Sequence, residues 1–394
     1  MTEKYLAQPD LDFIAQVREL GGDTLKKCYQ CATCSVACPI APEDSPFPRK
    51  EMIAASWGLK DKLITSGDIW LCHHCGDCTD LCPRGAAPGD VLSAVRSAAI
   101  EDYAQPKFLA QAVNDPSKLP FILGIQAVWF AIFAFITMNA GDFMTKVFKY
   151  VPFFDWSHAH EGEHVIAQAD FFSTWFVDMT FVPTAIFVVA VFFLSLKKFI
   201  TDIHENAMLE GKTDKTSIDY KELFQALLRV VPIILKHQKF NECTTNKDRA
   251  TPHMMVLYSF IGLFIVTSIG FVLLYIFHAP GPYSQLNPLK WLANISGVAL
   301  VIGSGLMIKN RMANEEQKTA YKDWYILWVV FGLGATGMLT EMARLAHLAG
   351  ISYFFYFLHL IAIWNLFLFL PFSKMAHLVY RTTAMTYAEY SNRK

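Results

Sequence analysis

Six long apolar runs occupy most of the chain after residue 120. They cover about 120–138, 176–198, 253–278, 291–308, 324–348 and 352–370. Each run is close to the roughly 20 residues that a helix needs to cross about 30 Å of hydrocarbon. Few charges interrupt the runs, and Gly, Phe and Trp recur in them, which is typical of lipid-spanning helices and disfavours a large soluble core. The pattern therefore predicts six transmembrane helices.

The residues before 120 follow a different pattern. Apolar positions between Phe13 and Leu20 have helical spacing and end at Gly21-Gly22, and a second helical run follows Pro88-Gly89-Asp90. We predict an all-α protein with two parts, a helical head (residues 1–119) and a transmembrane bundle (residues 120–394). Within the bundle, residues 218–235 form an amphipathic pattern. Arg229 and Pro232 make this segment a poor candidate for a membrane span. This segment is expected to lie on the membrane surface or against a partner subunit.

The amino-acid composition excludes several classes of protein. The hydrophobic fraction is 53% and the charged fraction is 18% of 394 residues, whereas ordinary soluble domains are about a quarter charged. This excludes a wholly soluble or disordered protein. The net charge of −1 argues against nucleic acid as a partner, because binding to phosphates needs a basic surface.

The basic residues predict an orientation in the membrane. Thirty of the 34 Lys and Arg residues fall in the head, the 197–252 loop, the loop after the fourth span and the C-terminal tail. An even number of spans places these segments on one side, and the positive-inside rule makes that side the cytoplasm. The N-terminal residues also lack the apolar stretch of a secretory signal. We expect a multi-pass protein of the cytoplasmic membrane.

Eight of the nine cysteines lie in two copies of one motif. Cys28–Pro39 and Cys72–Pro83 both have the spacing C-x2-C-x2-C-x3-C-P, which is typical of two [4Fe–4S] clusters in which the fourth Cys of each motif ligates the other cluster. The expected ligand sets are Cys28, Cys31, Cys34 and Cys82 for the first cluster, and Cys72, Cys75, Cys78 and Cys38 for the second. Structural zinc is the alternative, but it leaves the duplicated pattern unexplained. His73 and His74 are expected at the surface, and Cys243 as a free thiol.

Histidines in the bundle indicate haem. His359 and His377 are 18 residues apart, which puts them about 27 Å apart on one face if the last helix is continuous. His253 opens the third span after Thr251-Pro252, a helix-start pattern, and lies at the same cytoplasmic end as His377. Two facing imidazoles suit a six-coordinate b-type haem. The alternative is that these histidines are polar groups at helix ends.

A second haem needs a partner for His359. The position of suitable depth on the third span is Leu263, so His278 is the preferred candidate and His347 the other. Glu341 and Arg344 are i,i+3 neighbours inside the fifth span that either neutralise each other or contact a quinone or a haem propionate.

The chain resembles known families over nearly its whole length. The two cysteine motifs resemble the C subunit of heterodisulfide reductase, and the segment from His359 to His377 resembles the last helix of the nitrate reductase gamma subunit. In the latter family, the two His of that helix ligate two b haems with partner His residues on an earlier helix. His253 matches one such partner, and Leu263 departs from the pattern.

A fusion of these two halves is similar to the C subunits of quinone-interacting membrane-bound oxidoreductase complexes of sulfate reducers. The resemblance implies flavin-containing A and B subunits, menaquinone in the membrane and adenylylsulfate reductase as the acceptor. The paired-cysteine motifs of the heterodisulfide reductase catalytic subunit are absent from the sequence. We therefore expect an electron-transfer subunit that is not catalytic alone. The alternatives are a subunit of a sulfite-reductase-associated or heterodisulfide reductase complex, and a haem-free anchor for a ferredoxin head.

Overall fold

The computed structural model describes residues 8–147, 166–245, 247–279, 281–313 and 320–393. These residues form helices, short 3-10 turns and loops, and they contain no β-strand. The predicted all-α fold is confirmed. His158, His160 and His164, for which the sequence predicts a solvated outer loop with a metal site as the alternative, lie outside the described residues.

Eight helices form the head in the part of the chain that the structure describes. Asp10 begins the first of them, because its carboxylate accepts a hydrogen bond from the Phe13 N–H (2.8 Å). Pro88 begins the long central helix, where its missing N–H costs nothing. The helices are α1 (Leu11–Glu19), α2 (Thr33–Val36), α3 (Arg49–Ser56), α4 (Lys60–Ile64), α5 (Asp68–Leu71), α6 (Asp77–Asp80), α7 (Pro88–Tyr103) and α8 (Lys107–Asn114).

Nine helices follow among the described residues of the bundle and its flanking segments. They are α9 (Leu119–Val147), α10 (Gln168–Phe171), α11 (Thr174–Leu209), α12 (Tyr220–Leu235), α13 (Ala250–Tyr275), α14 (Pro288–Ala313), α15 (Tyr321–Leu345), α16 (Ala349–Leu368) and α17 (His377–Tyr390). Six of these described helices, α9, α11, α13, α14, α15 and α16, are long and apolar enough to cross a membrane. The predicted number of spans is confirmed.

Small residues allow the spans to pack closely. A Cβ on Gly262 of α13 would lie 2.2 Å from the Ser296 hydroxyl of α14, and one on Gly303 would lie 3.0 Å from the Pro252 carbonyl. Close backbone approach of this kind is typical of helix pairs in membranes. A buried polar contact adds specificity, because Asn365 of α16 accepts a hydrogen bond from the Tyr325 hydroxyl and donates one to Gln126 of α9.

The head and one end of the bundle share a core. Trp70 of the head is stacked on Tyr380 of α17 with ring centres 4.9 Å apart, and Phe199 of α11 packs edge-on against both rings. The Tyr103 hydroxyl donates to Asp202 (2.8 Å). Side chains from both sides of the predicted boundary at residue 119 therefore pack against each other. The head, α12 and α17 lie together at one end of the bundle.

The last predicted helix is interrupted. The prediction that one helix carries both His359 and His377 is wrong, because α16 ends at Leu368 and α17 begins at His377. Pro371 lacks the N–H that a continuing helix needs, and the Ser373 hydroxyl accepts from the Met375 N–H (3.3 Å) to start the next turn. The separation of about 27 Å assumed a continuous helix and does not apply.

The amphipathic segment forms α12, as its spacing predicts. Its buried side chains, Ala226 and Val230, lie on the face that packs against α17. Phe224 and Leu228 are exposed on the other side. The two predicted locations for this apolar face, a membrane surface and a partner subunit, both remain compatible with the structure.

Candidate iron–sulfur and haem sites

The two cysteine loops have the same backbone geometry. Left-handed conformations occur at Gln30 and Ala32 in the first loop and at the matching His74 and Gly76 in the second. Such conformations are costly for residues other than glycine and collect at functional sites. The sequence repeat is thus a structural repeat.

This geometry directs backbone N–H groups at sulfur. The Gln30 N–H donates to Cys28 Sγ (3.4 Å), and the His74 N–H donates to Cys72 Sγ (3.3 Å). Hydrogen bonds to ligand sulfurs are one of the means by which a protein sets the potential of an iron–sulfur cluster. Both loops are therefore built to carry thiolates.

The thiols form two groups, and Cys38 joins the second. Burial and, to a lesser extent, the neighbouring Cys28 raise the pKa of Cys34 to about 11. Burial also raises the pKa of Cys38 to about 12, but the thiols that add to this effect are Cys72 and Cys75 of the other motif. The fourth Cys of the first motif thus lies beside the second loop. Cys82 is half-buried and follows α6, which packs against α2 of the first loop.

The two groups face different surroundings. Cys31 of the first motif is exposed, whereas Cys72, Cys75 and Cys78 are buried. The first loop therefore lies nearer to the solvent, and the second lies nearer to the bundle.

A cavity of about 270 Å³ separates the second loop from the bundle. Cys72 and Cys75 line it on the head side, and His253 and His377 line it at the starts of α13 and α17. His253 and His377 are close enough to interact electrostatically. The pair that the sequence placed at one end of the bundle is thus brought together, next to the ligands of the second cluster.

Both imidazoles are oriented through their Nδ1 atoms. His377 Nδ1 donates to the Lys374 carbonyl (2.5 Å), and His253 Nδ1 lies 2.7 Å from His237 Nε2. A hydrogen bond at one ring nitrogen fixes the tautomer and orientation of a metal-binding His and leaves the other nitrogen for the metal. In both residues that nitrogen is Nε2.

Cations line the same cavity. Arg96 donates to the Cys72 carbonyl (2.8 Å), Arg381 donates to the Leu71 carbonyl (3.2 Å), and Arg249, Arg311 and Lys374 complete the set. Burial lowers the pKa of Arg381 to about 10. Asp323 also lines the cavity and pairs with Lys374 and with Arg311 (3.4 Å). The remaining buried cations favour an anionic ligand. Two imidazoles and these cations fit a b-type haem, which needs two nitrogen ligands and carries two propionates.

His73 and His74 differ from their prediction. Both were expected at the surface, but both line the cavity. His74 Nε2 lies 2.6 Å from the Asp90 carboxylate at the start of α7. The second loop is folded so that both residues line this cavity, which their positions in the sequence do not reveal.

The structure does not assemble an outer haem site among the described residues. The His359 ring packs against Gly337, where a Cβ would lie only 2.9 Å away, and its Nδ1 donates to the Leu333 carbonyl (3.0 Å). His278 is exposed beyond the end of α13, and His347 is exposed beyond the end of α15. Neither candidate partner reaches His359 near the middle of α16, so these residues do not fit a second bis-histidine haem.

Glu341 and Arg344 form an ion pair, one of the two predicted arrangements. Arg344 Nη2 lies 2.8 Å from the Glu341 carboxylate, and Lys290 Nζ also lies 2.8 Å from it. Gln285 donates a further hydrogen bond to the same carboxylate (2.5 Å). Contact of this pair with a quinone or a propionate stays a prediction.

Cys243 is a free thiol, as the sequence predicts, but the sequence did not indicate its contact with the second motif. It is buried, and its Sγ, Cys75 Sγ and an Asp77 carboxylate oxygen all lie within 4.8 Å of one another. Because the whole stretch from Arg84 to Glu242 separates it from the second motif, spacing gives no signal for this contact. The cavity cations also come from distant segments and escape sequence reasoning for the same reason.

Comparison with known families defines the class of protein first. Residues 24–86 match the 4Fe-4S dicluster domain, which confirms the iron–sulfur prediction and argues against zinc. Together with the six candidate spans among the described helices, this defines a membrane protein with an iron–sulfur head. Residues 184–394 match the family described as Citrate utilization protein B, and since the match covers more than half of the chain, the chain belongs to that family.

Curated relatives match the head. A protein of Archaeoglobus profundus, named for its likeness to the C subunit of heterodisulfide reductase, is 37% identical over 89 residues, which are 22% of this chain and 47% of the relative. The C subunit of the H(2):CoB-CoM heterodisulfide,ferredoxin reductase of Methanothermobacter marburgensis is 35% identical over 104 residues, 26% of this chain and 54% of the relative.

The extent of these matches limits what similarity establishes about function. The chain spans about half the length of the curated relatives it matches, and no solved structure matches it. By their names, one relative is the C subunit of a heterodisulfide,ferredoxin reductase and the other is similar to a heterodisulfide reductase C subunit. The assignments of a haem, a quinone and a soluble acceptor rest on the geometry of the site and on the family resemblance.

Proposed function

We propose that this chain is the membrane subunit of an oxidoreductase complex and carries electrons between a membrane quinone and soluble flavin and iron–sulfur subunits. The observation that carries the proposal is the shared cavity, because the candidate second-cluster ligands Cys72 and Cys75 line it together with the candidate haem ligands His253 and His377. Redox groups held at the lining of one cavity are close enough for electron transfer. The chain is not an enzyme by itself in this proposal.

The proposed ligand sets are crossed between the motifs. The first cluster takes Cys28, Cys31, Cys34 and Cys82, and the second takes Cys72, Cys75, Cys78 and Cys38. The electrostatic contacts of Cys38 with Cys72 and Cys75 support the crossing. The exposed Cys31 places the first cluster where a soluble partner can approach, so electrons would pass through the clusters in order.

His253 and His377 are the residues that would hold one haem b, which would supply one-electron transfer when bound. The chain's own residues hold and orient the imidazoles through the Lys374 carbonyl and His237. Arg96 and Arg381 would offset the propionate charges. Because these groups come from the head, α13 and α17 together, binding also fixes the head on the bundle.

The family resemblance suggests the individual partners. It implies menaquinone as the membrane partner, flavin-containing A and B subunits as soluble partners, and adenylylsulfate reductase as the acceptor. The head and α17 would then lie on the cytoplasmic side, as the basic residues predict. A subunit of a heterodisulfide reductase complex is the second candidate, because the relatives that match the head bear that name.

Two measurements on the purified complex test the proposal. A menaquinol analogue should reduce a b-type haem signal in membranes that carry the complex, and subunits that co-purify should include a flavoprotein. Identification of those subunits separates the sulfate-respiration and heterodisulfide assignments. A spectrum without haem, with quinol oxidation unchanged in His377→Ala, would instead support the haem-free anchor.

A further inference from the structure

We propose that Cys243 is a positioning residue for the second cluster and that it raises the reduction potential of this cluster by donating an S–H hydrogen bond to Cys75. The inference rests on the proposed assignment of Cys75 as a cluster ligand. It concerns a cysteine that lies outside both motifs, in the segment between α12 and α13.

The contact is buried and specific. Cys243 is 1% exposed, and its Sγ lies beside that of Cys75, within 4.8 Å. The Asp77 carboxylate completes a group whose ligand atoms all lie within 4.8 Å of one another. A buried thiol beside a candidate cluster ligand is shielded from solvent, so its interaction with that sulfur is not weakened by competing water.

The neighbouring residues fix Cys243 in this place. Asp77 lies between two cysteines of the second motif and accepts hydrogen bonds from the N–H groups of Thr244 (3.0 Å) and Thr245 (2.6 Å). The Thr245 hydroxyl donates to Asp80 (2.8 Å). Three hydrogen bonds therefore attach the residues directly after Cys243 to the loop that carries Cys75.

The direction of the hydrogen bond follows from the chemistry of ligation. Cysteine binds iron as the thiolate, so Cys75 has no proton to donate once the cluster is bound. The proton between the two sulfurs is then supplied by Cys243. A hydrogen bond to a ligand sulfur stabilises the more negative, reduced cluster and raises its potential.

The connection continues into the bundle. The residues after Thr245 lead to α13, which begins at Ala250 and carries His253 in its first turn. Cys243 is thus attached to the same segment as a candidate haem ligand. Its placement ensures that the second cluster acquires this hydrogen bond only when the bundle segment is docked on the head.

The test is an EPR-monitored redox titration of the purified full-length complex. With Cys243→Ala, we expect the ratio of oxidised to reduced second cluster at a fixed potential to rise about tenfold, which is a lowering of about 59 mV for a one-electron couple. Cys243→Ser retains a donor and should shift the ratio by less. The first cluster is the internal control, and its potential should not change.

The possible outcomes are distinct. Two cluster signals with an unshifted second potential in Cys243→Ala would overturn the inference while leaving the proposed function intact. Loss of the second cluster in this variant would overturn it in favour of iron ligation by Cys243. If the alanine variant fails to assemble, Cys243→Val, which also has no proton to donate, repeats the measurement. Fewer than two cluster signals in the wild-type complex would instead contradict the proposed function.

Discussion

Replacing Asp68 tests how the head is held on the bundle. Asp68 is 0% exposed and contacts three cations, Lys50 (2.5 Å), Lys212 (3.0 Å) and Arg393 (2.5 Å), the last two from outside the head. Asp68→Asn would leave these cations without their shared carboxylate. Breaking a buried ion pair from one side costs about 3–5 kcal/mol. For a head of this size, we expect the apparent unfolding midpoint to fall by roughly 10–20 °C.

The assay follows loss of the iron–sulfur absorption band on heating at one scan rate. Asp102→Asn is the matched control, because Asp102 also faces three lysines, Lys60, Lys107 and Lys198, but is 23% exposed. An exposed cluster of this kind contributes at most about 1 kcal/mol. Equal midpoints for the two variants would refute the reasoning.

The pH dependence of this effect has a definite sign. Burial alone would raise the pKa of Asp68, but Lys212, Lys50 and Arg393 hold it well below its usual range. A carboxyl with a lowered pKa in the folded state stabilises above its unfolded pKa of about 3.9 and loses that contribution as the pH falls further. The difference between wild type and Asp68→Asn should therefore be the same at pH 6 and pH 8.

Three further variants test the redox sites. Cys38→Ser should remove the EPR signal of the second cluster and keep that of the first, and loss of the first instead would contradict the crossed ligation. His377→Ala should abolish the pyridine haemochrome of the purified chain while both cluster signals remain. His359→Ala should leave haem content unchanged, since the described residues offer no second axial ligand there, and loss of about half of the haem would show a second site.

The sequence predicts the parts of the fold that depend on local patterns. Apolar runs locate the six spans because each must satisfy its own backbone inside lipid. Cysteine spacing locates the iron–sulfur loops, since three ligands on one tight turn need that spacing. The apolar run 352–370 predicts the end of α16 to within two residues. The spacing of about 27 Å between His359 and His377 assumed that the helix continues past Pro371, which it does not.

Tertiary contacts explain what the sequence does not predict. Cys243 and Arg381 reach the second loop from distant segments, so no local pattern reports their position. His278 shares a helical face with His253 only if α13 continues to it, and α13 ends at Tyr275. Spacing arguments failed where they required a helix to extend past its actual end.

The most direct test of the account is the metal and haem content of the purified chain, followed by a redox titration with a quinol analogue. The account predicts about eight non-haem iron atoms and one haem b per chain, with the haem and both clusters reducible in the complex. A preparation with a full iron content but no haem would contradict electron transfer between the membrane and the head through His253 and His377.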